Sequence, residues 1–228
     1  ACPSSRSKEP EALGGAMHLL LTDRLTCPRC GPEFGLILLA HHMVERRVVE
    51  GVLGCPNCRD QYPVESGFGD LRPPPRGAAA QGFAGPPEAR ADDAEEAARL
   101  LALVGVAQGP GTIVLAGAPA RHHRAFSESV EGLHVVGLDS GLVDWPDVPG
   151  VSRLMTGSTI PLSSRSMRGV AVDSRLGGEI VAEAARVVAP RGRVVVIHTE
   201  EDEAAETLRG AGLEVLAREA GTVVAARP

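Results

Sequence analysis

The chain has 228 residues, a formal net charge of -6, 43% hydrophobic residues and only 3% aromatics. That length suits one large domain or two unequal ones, with a core built from Val, Leu, Ile and Ala rather than from rings. No stretch is basic overall, which weighs against tight sequence-independent binding to nucleic acid. No apolar run reaches the ~18–20 residues of a membrane span, and no signal-peptide pattern opens the chain, so a reducing cytoplasm is the expected setting.

Residues 1–16, rich in Ser, Pro and Gly, read as a disordered tail that holds the odd cysteine, Cys2; Met17 offers one candidate for the biological start, with the residues before it then a leader or an upstream mis-start. Residues 17–72 form a cysteine module. Leu19-Leu20-Leu21 leads into Cys27-Pro28-Arg29-Cys30, and the second knuckle is Cys55-Pro56-Asn57-Cys58. Each turn aims two thiolates at one point. Two such turns supply four soft ligands in a tetrahedron, the geometry of a closed structural zinc site. Four sulfurs leave no position for water, so such a zinc holds structure and performs no chemistry. Two disulfides would need an oxidising compartment, and a redox pair would need a helix start in thioredoxin-like surroundings. Residues 34–39 and 45–54 read as strands and 61–64 as a short third one. His41-His42 reads as surface loop, because four cysteines suffice. So few apolar residues could hardly fold alone, and a metal would supply the missing stability.

Residues 73–90 begin Pro73-Pro74-Pro75-Arg76-Gly77 and read as a linker. A helix is expected from near Asp92, where acidic residues precede apolar ones. From 91 to 228 short apolar runs alternate with helical stretches. The runs are 112–115, 133–138, 151–155, 169–172, 193–197, 213–217 and 222–225; the helices are 121–130, 176–188 and 201–209. This alternation predicts an α/β domain with a mainly parallel sheet covered on both faces. The short gap between the last two runs predicts a terminal antiparallel hairpin. Arg121-His122-His123-Arg124 reads as an exposed helical turn, with a phosphate-binding patch as the sharper alternative. Asp144-Trp145-Pro146-Asp147 reads equally as an interface anchor or as a loop covering the sheet edge. Glu200-Glu201-Asp202-Glu203 reads as a helix N-terminus.

The first module resembles the zinc-ribbon family of tRNA-methyltransferase activators. The resemblance rests on His18-Leu19-Leu20-Leu21, two Cys-Pro-x-Cys knuckles, and Tyr62-Pro63-Val64 followed by Glu65 and Gly67. It implies a small protein without activity of its own that pairs by strand addition with a methyltransferase and keeps it soluble and active.

The second module resembles a class I S-adenosylmethionine-dependent methyltransferase. The best match is Arg186-Val187-Val188-Ala189-Pro190-Arg191-Gly192-Arg193-Val194-Val195-Val196, the helix, Pro-x-Gly turn and fifth strand of that superfamily. The resemblance implies a seven-stranded Rossmann-like sheet, mostly parallel. It also implies a second strand ending at Asp139, where a carboxylate accepts from both ribose hydroxyls. Other positions depart from the pattern. The first strand runs Ile113-Val114-Leu115-Ala116-Gly117-Ala118-Pro119-Ala120-Arg121. Ala116 stands in place of an acid, and of three expected glycines only Gly117 remains, with Pro119 and Arg121 at the others. Those glycines normally let the backbone approach the ligand, and proline has no N–H to donate. Ser158 stands where an acid would take the adenine amino group, and Asp173 lies near the end of the fourth strand.

Gly117, Asp139 and Ser158 are thus the usable cofactor positions, and Ala116, Pro119 and Arg121 the unusable ones. The balance favours a degenerate methyltransferase-like domain, a pseudoenzyme, beside an intact metal site at Cys27, Cys30, Cys55 and Cys58. The expected protein is a non-catalytic adaptor or activator. It would bind a methyltransferase, a translation-related protein or a macromolecular substrate through the ribbon, with RNA as a further candidate and no membrane. The alternative is an active S-adenosylmethionine-dependent methyltransferase acting on RNA or protein, with Asp173 positioning the acceptor. Some rRNA guanine methyltransferases share this order of modules.

Overall fold

The computed structural model describes residues 17–88 and 90–228; the expected disordered tail, with Cys2, lies outside the described residues. Seven strands form the cysteine module: β1 (Met17–His18), β2 (Thr26–Cys27), β3 (Gly31–Gly35), β4 (Ile37–Val44), β5 (Arg47–Gly54), β6 (Gln61–Glu65) and β7 (Phe68–Asp70). The β4–β5 hairpin turns on Glu45 and Arg46, with φ of 47° and 64°, and β6–β7 turns on Ser66 and Gly67, with φ of 48° and 74°. Two central residues at positive φ match the right-handed twist of the strands they join. The single strand expected over 34–39 is two, β3 and β4, divided at the buried Leu36.

The remaining elements are α1 (Asp93–Val104), β8 (Gly111–Ala116), α2 (His123–Ser129), β9 (Leu133–Leu138), β10 (Val151–Met155), β11 (Met167–Asp173), α3 (Ile180–Val187), β12 (Val188–Ile197), α4 (Glu201–Gly210), β13 (Glu214–Glu219) and β14 (Thr222–Ala226). Asp93, Glu95 and Glu96 in the first turn of α1 complement the helix dipole. Gly105 ends it at φ 70°, its N–H donating to the Leu101 carbonyl.

The seven strands β8–β14 lie side by side as β10-β9-β8-β11-β12-β14-β13, parallel except for β14 and the β13–β14 hairpin. The sheet does not stop there: it has 12 strands rather than seven. β7 pairs in parallel with β10, Phe68 beside Arg153 and Asp70 beside Met155. Through β7 the sheet continues into β6, β5, β1 and β4. Non-local backbone pairing of a three-residue strand leaves no periodic trace in sequence, so this junction was invisible there.

Successive residues of the central strands face opposite sides. Val114, Ala116, Val136, Leu138, Val170 and Val172 share one core with α3, α4 and the cysteine module. Ile113, Leu115, Val135, Ala171 and Val195 share the other with α1 and α2. Polar contacts add to the module's seat. The Thr26 N–H donates to Pro161 O (3.0 Å) and the Ser163 N–H to Arg24 O (2.8 Å). Ser152 Oγ accepts from the His18 N–H (3.0 Å) and lies 2.8 Å from His134 Nε2.

Candidate functional site

The two knuckles bring Cys27, Cys30, Cys55 and Cys58 together, with all four Sγ atoms within 4.8 Å of one another. Cys27 and Cys58 are 3.7 Å apart at sulfur, and Cys30 and Cys55 are 3.8 Å apart. Bonds of ~2.3 Å from one central ion to four sulfurs give a tetrahedron edge of about 3.8 Å. The thiols form no disulfide. Donors surround them: the Cys30 N–H and the Tyr62 hydroxyl each lie 3.4 Å from Cys27 Sγ, and Asn57 Nδ2 lies 3.3 Å from Cys30 Sγ. Burial alone would raise the Cys27 thiol, but hydrogen bonds from Tyr62 and from the Cys30 and Arg29 backbone bring it down to about 7. Burial, then the neighbouring sulfurs, push Cys58 up to about 12. Four cysteine sulfurs converging in a half-buried cluster suit a soft divalent metal, which would bind them as thiolates.

The second candidate site lies at the carboxyl ends of β8 and β9, where an open α/β sheet normally offers its crevice. Asp139 stands there as the sequence placed it, 4% exposed. Its carboxylate is committed to the chain itself, accepting from the N–H groups of Gly141 (2.8 Å), Phe83 (2.9 Å) and Ala84 (3.3 Å). Residues 78–88 therefore do not run free as a spacer. They cross the crevice as a strap. Gly82 passes so close that a Cβ would overlap the Asp139 carboxylate and the Gly141 nitrogen.

Three other side chains hold the strap. Arg121, where the resemblance leads one to expect a glycine, donates to the carbonyls of Ala84 (3.1 Å), Pro86 (2.7 Å) and Glu88, and to the Asp93 carboxylate at 2.7 and 3.0 Å. Trp145 Nε1 donates to Gly85 O (3.0 Å), and Ser140 Oγ donates to Ala80 O (2.7 Å). Trp145 thus covers its own chain. Arg121, His122 and His123 are 6%, 4% and 0% exposed, so the expected exposed helical turn is corrected to a buried clamp. The Arg121 hydrogen bond holds the Asp93 carboxyl down at about 2.

Gly117 has φ 72°, and a Cβ there would meet Asp173 Cβ at 2.7 Å; it is glycine for backbone and packing reasons at once. Asp173 is fully buried and accepts from Arg175 Nη2 (2.6 Å), Arg175 Nε (2.9 Å) and the Arg175 N–H (3.1 Å), with His198 Nδ1 at 3.2 Å. Burial opposes its ionisation, but Arg175 and His198 hold its carboxyl below the usual carboxylate range. Ser158 lies on an exposed loop. Of the four expected residues only Asp139 faces the crevice.

Under the strap remains a cavity of about 480 Å³, floored by Ala116, Leu138 and Met155 and roofed by Phe83. Arg72 and Arg175 stand at its walls. Sequence reading missed Phe83, Arg72 and Arg175. Phe83 was the available signal, as the one aromatic in the apparent linker. A larger cavity of about 560 Å³ between α1 and α4 is more polar and holds none of the expected residues. The crevice does not fit a nucleoside cofactor: Asp139, the carboxylate expected to hold a ribose, is capped, Ala116 offers no acid, and Arg121 is turned onto the strap.

No protein-family model and no curated protein matches the chain. Among solved structures it is similar to a protein from Galdieria sulphuraria provisionally assigned as a sarcosine dimethylglycine methyltransferase, at 17% identity and TM-score 0.40, covering 54% of this chain and 62% of that one. The [4+2]-cyclase SpnF is similar at 16% identity and TM-score 0.44, covering 61% and 65%. Geranyl diphosphate C-methyltransferase from Streptomyces coelicolor A3(2) is similar at 13% identity and TM-score 0.46, covering 61% and 71%. The chain spans less than two thirds of the length of the first two. At these figures no activity, substrate or cofactor carries over.

Proposed function

We propose that the chain is a non-catalytic adaptor: a metal-bearing ribbon on a methyltransferase-like domain whose cofactor crevice is crossed and capped by its own strap. The observation that carries this reading is the Asp139 carboxylate, which accepts from the backbone N–H groups of Phe83, Ala84 and Gly141. Zinc held by Cys27, Cys30, Cys55 and Cys58 would fix the ribbon. The edge strand β4 would receive the partner, a methyltransferase or its macromolecular substrate, by strand addition. Among the described residues β4 pairs only with β5, and it exposes Ile37 and Leu39, each 63%, with Met43 at 38%. A reducing cytoplasm suits four thiolate ligands.

Calorimetry with S-adenosylmethionine tests the reading. No binding is expected. Micromolar binding abolished by Asp139→Ala would establish the alternative, an active methyltransferase on RNA or protein. Metal analysis is expected to find one zinc per chain, lost in Cys55→Ser, with destabilisation on the order of 4 kcal/mol or more, as befits removal of a structural metal.

A further inference from the structure

We propose that the strapped crevice is a binding site for a small amphipathic carboxylate: a planar anionic head on an apolar body. The inference rests on the adaptor reading, in that it takes S-adenosylmethionine to be excluded. The strap does not fill the crevice solidly. It leaves about 480 Å³ beneath it, within the range of small-molecule sites.

The chemistry of the walls is the reverse of what a sulfonium nucleoside needs. The one acid in the lining, Asp139, has its oxygens taken by three N–H donors. The hydroxyls of Ser140 and Thr156 spend their protons on the carbonyls of Ala80 and Thr159, so the donor capacity left in the lining is cationic. Arg175 enters from the turn between β11 and α3. Its Nε and Nη2 are on Asp173, and its guanidinium lies 4.8 Å over the Phe83 ring. Nη1 has no hydrogen-bond partner among the described residues, so the Nη1–Nη2 edge is open. Arg72 enters from the opposite side, just beyond β7, with Nε and Nη2 on Asp70 and Nη1 on Gly77 O.

A planar two-oxygen head matches one open guanidinium edge. A phosphate would need more donors than this edge supplies. The body of the ligand would lie between the Phe83 ring and Met155, with Leu138 and Ile180 beside it. Each buried methylene adds to binding, so a chain of medium length fits the class better than a short, fully polar acid.

Octanoate is the probe, 1-octanol the uncharged control and S-adenosylmethionine the third arm, each titrated by calorimetry into the full chain. Octanoate is expected to bind about tenfold or more tightly than octanol, since a hydrogen bond to a charged head is at stake. Arg175→Gln and Phe83→Ala are each expected to weaken it by a similar factor. Because Arg175→Gln uncovers buried Asp173 and can fail to fold, Phe83→Ala, at an exposed ring, keeps the test decisive. No octanoate binding, or binding equal to octanol and indifferent to Phe83→Ala, overturns the inference and leaves the adaptor reading intact. S-Adenosylmethionine binding that depends on Asp139 overturns both.

Discussion

Arg121 shows how one residue commits a crevice to the chain's own backbone. Where the methyltransferase pattern has a glycine that lets a ligand approach, this guanidinium is buried and gathers three carbonyls and one carboxylate of the same chain. Arg121→Met should lower stability by about 3–5 kcal/mol in urea unfolding at pH 7, because it leaves Asp93 and the strap carbonyls without their donor. The pH dependence has a definite sign. The Asp93 carboxyl titrates near 2 in the fold against 3.8 unfolded, so its contribution is complete above about pH 4 and is lost as pH falls toward 2. Arg121→Met should erase that part of the acid slope. At this scale the sequence marked the position but not its role. An arginine where glycine belongs was legible as a departure. Its partners are backbone carbonyls of an Ala, Pro and Gly segment, and carbonyls have no side-chain signature.

At the scale of elements, the strands β8–β14 were legible because apolar runs and helical stretches alternate, and the four cysteines were legible because knuckle spacing fixes sulfur geometry. The strap was not. Its composition is that of a flexible spacer, and order comes to it from Asp139, Arg121, Ser140 and Trp145, which lie far away in sequence. β4 is the other element whose consequence can be measured. An uncharged exposed edge invites pairing with another strand. Leu39→Lys should reduce concentration-dependent self-association in sedimentation experiments while leaving the melting temperature within a degree or two of the parent, since surface changes are within about 0.5 kcal/mol. Unchanged association would move the docking surface away from β4.

For the whole molecule, the shared core and the β7–β10 pairing make the cysteine module and the α/β unit one mechanical body. Thermal unfolding should show a single transition by fluorescence and by circular dichroism, and chelation of the metal should lower it throughout. Two separate transitions would show that the junction is weak. Acid should act at the same scale. Burial first of all holds the His134 imidazole at about 3 and that of His123 at about 4, both below the ordinary 6.5. The unfolded chain therefore takes these protons first. Stability is complete above pH 6.5 and falls below it by up to about 1.4 kcal/mol per pH unit for each group. His134→Gln should flatten the dependence of the urea midpoint between pH 6.5 and 4.5.

The two ends of the long sheet differ in kind. β13 closes one end with Glu214, Arg218 and Glu219 exposed and a register shift between Val215 and Ala217, both devices that discourage pairing. β4 leaves the other end bare of charge. Head-to-tail growth needs two receptive ends, and this sheet has one. Addition at β4 would therefore stop after a single event: a partner strand would be taken up with a stoichiometry of one, and two copies meeting at this edge would close into a dimer instead of seeding a fibre.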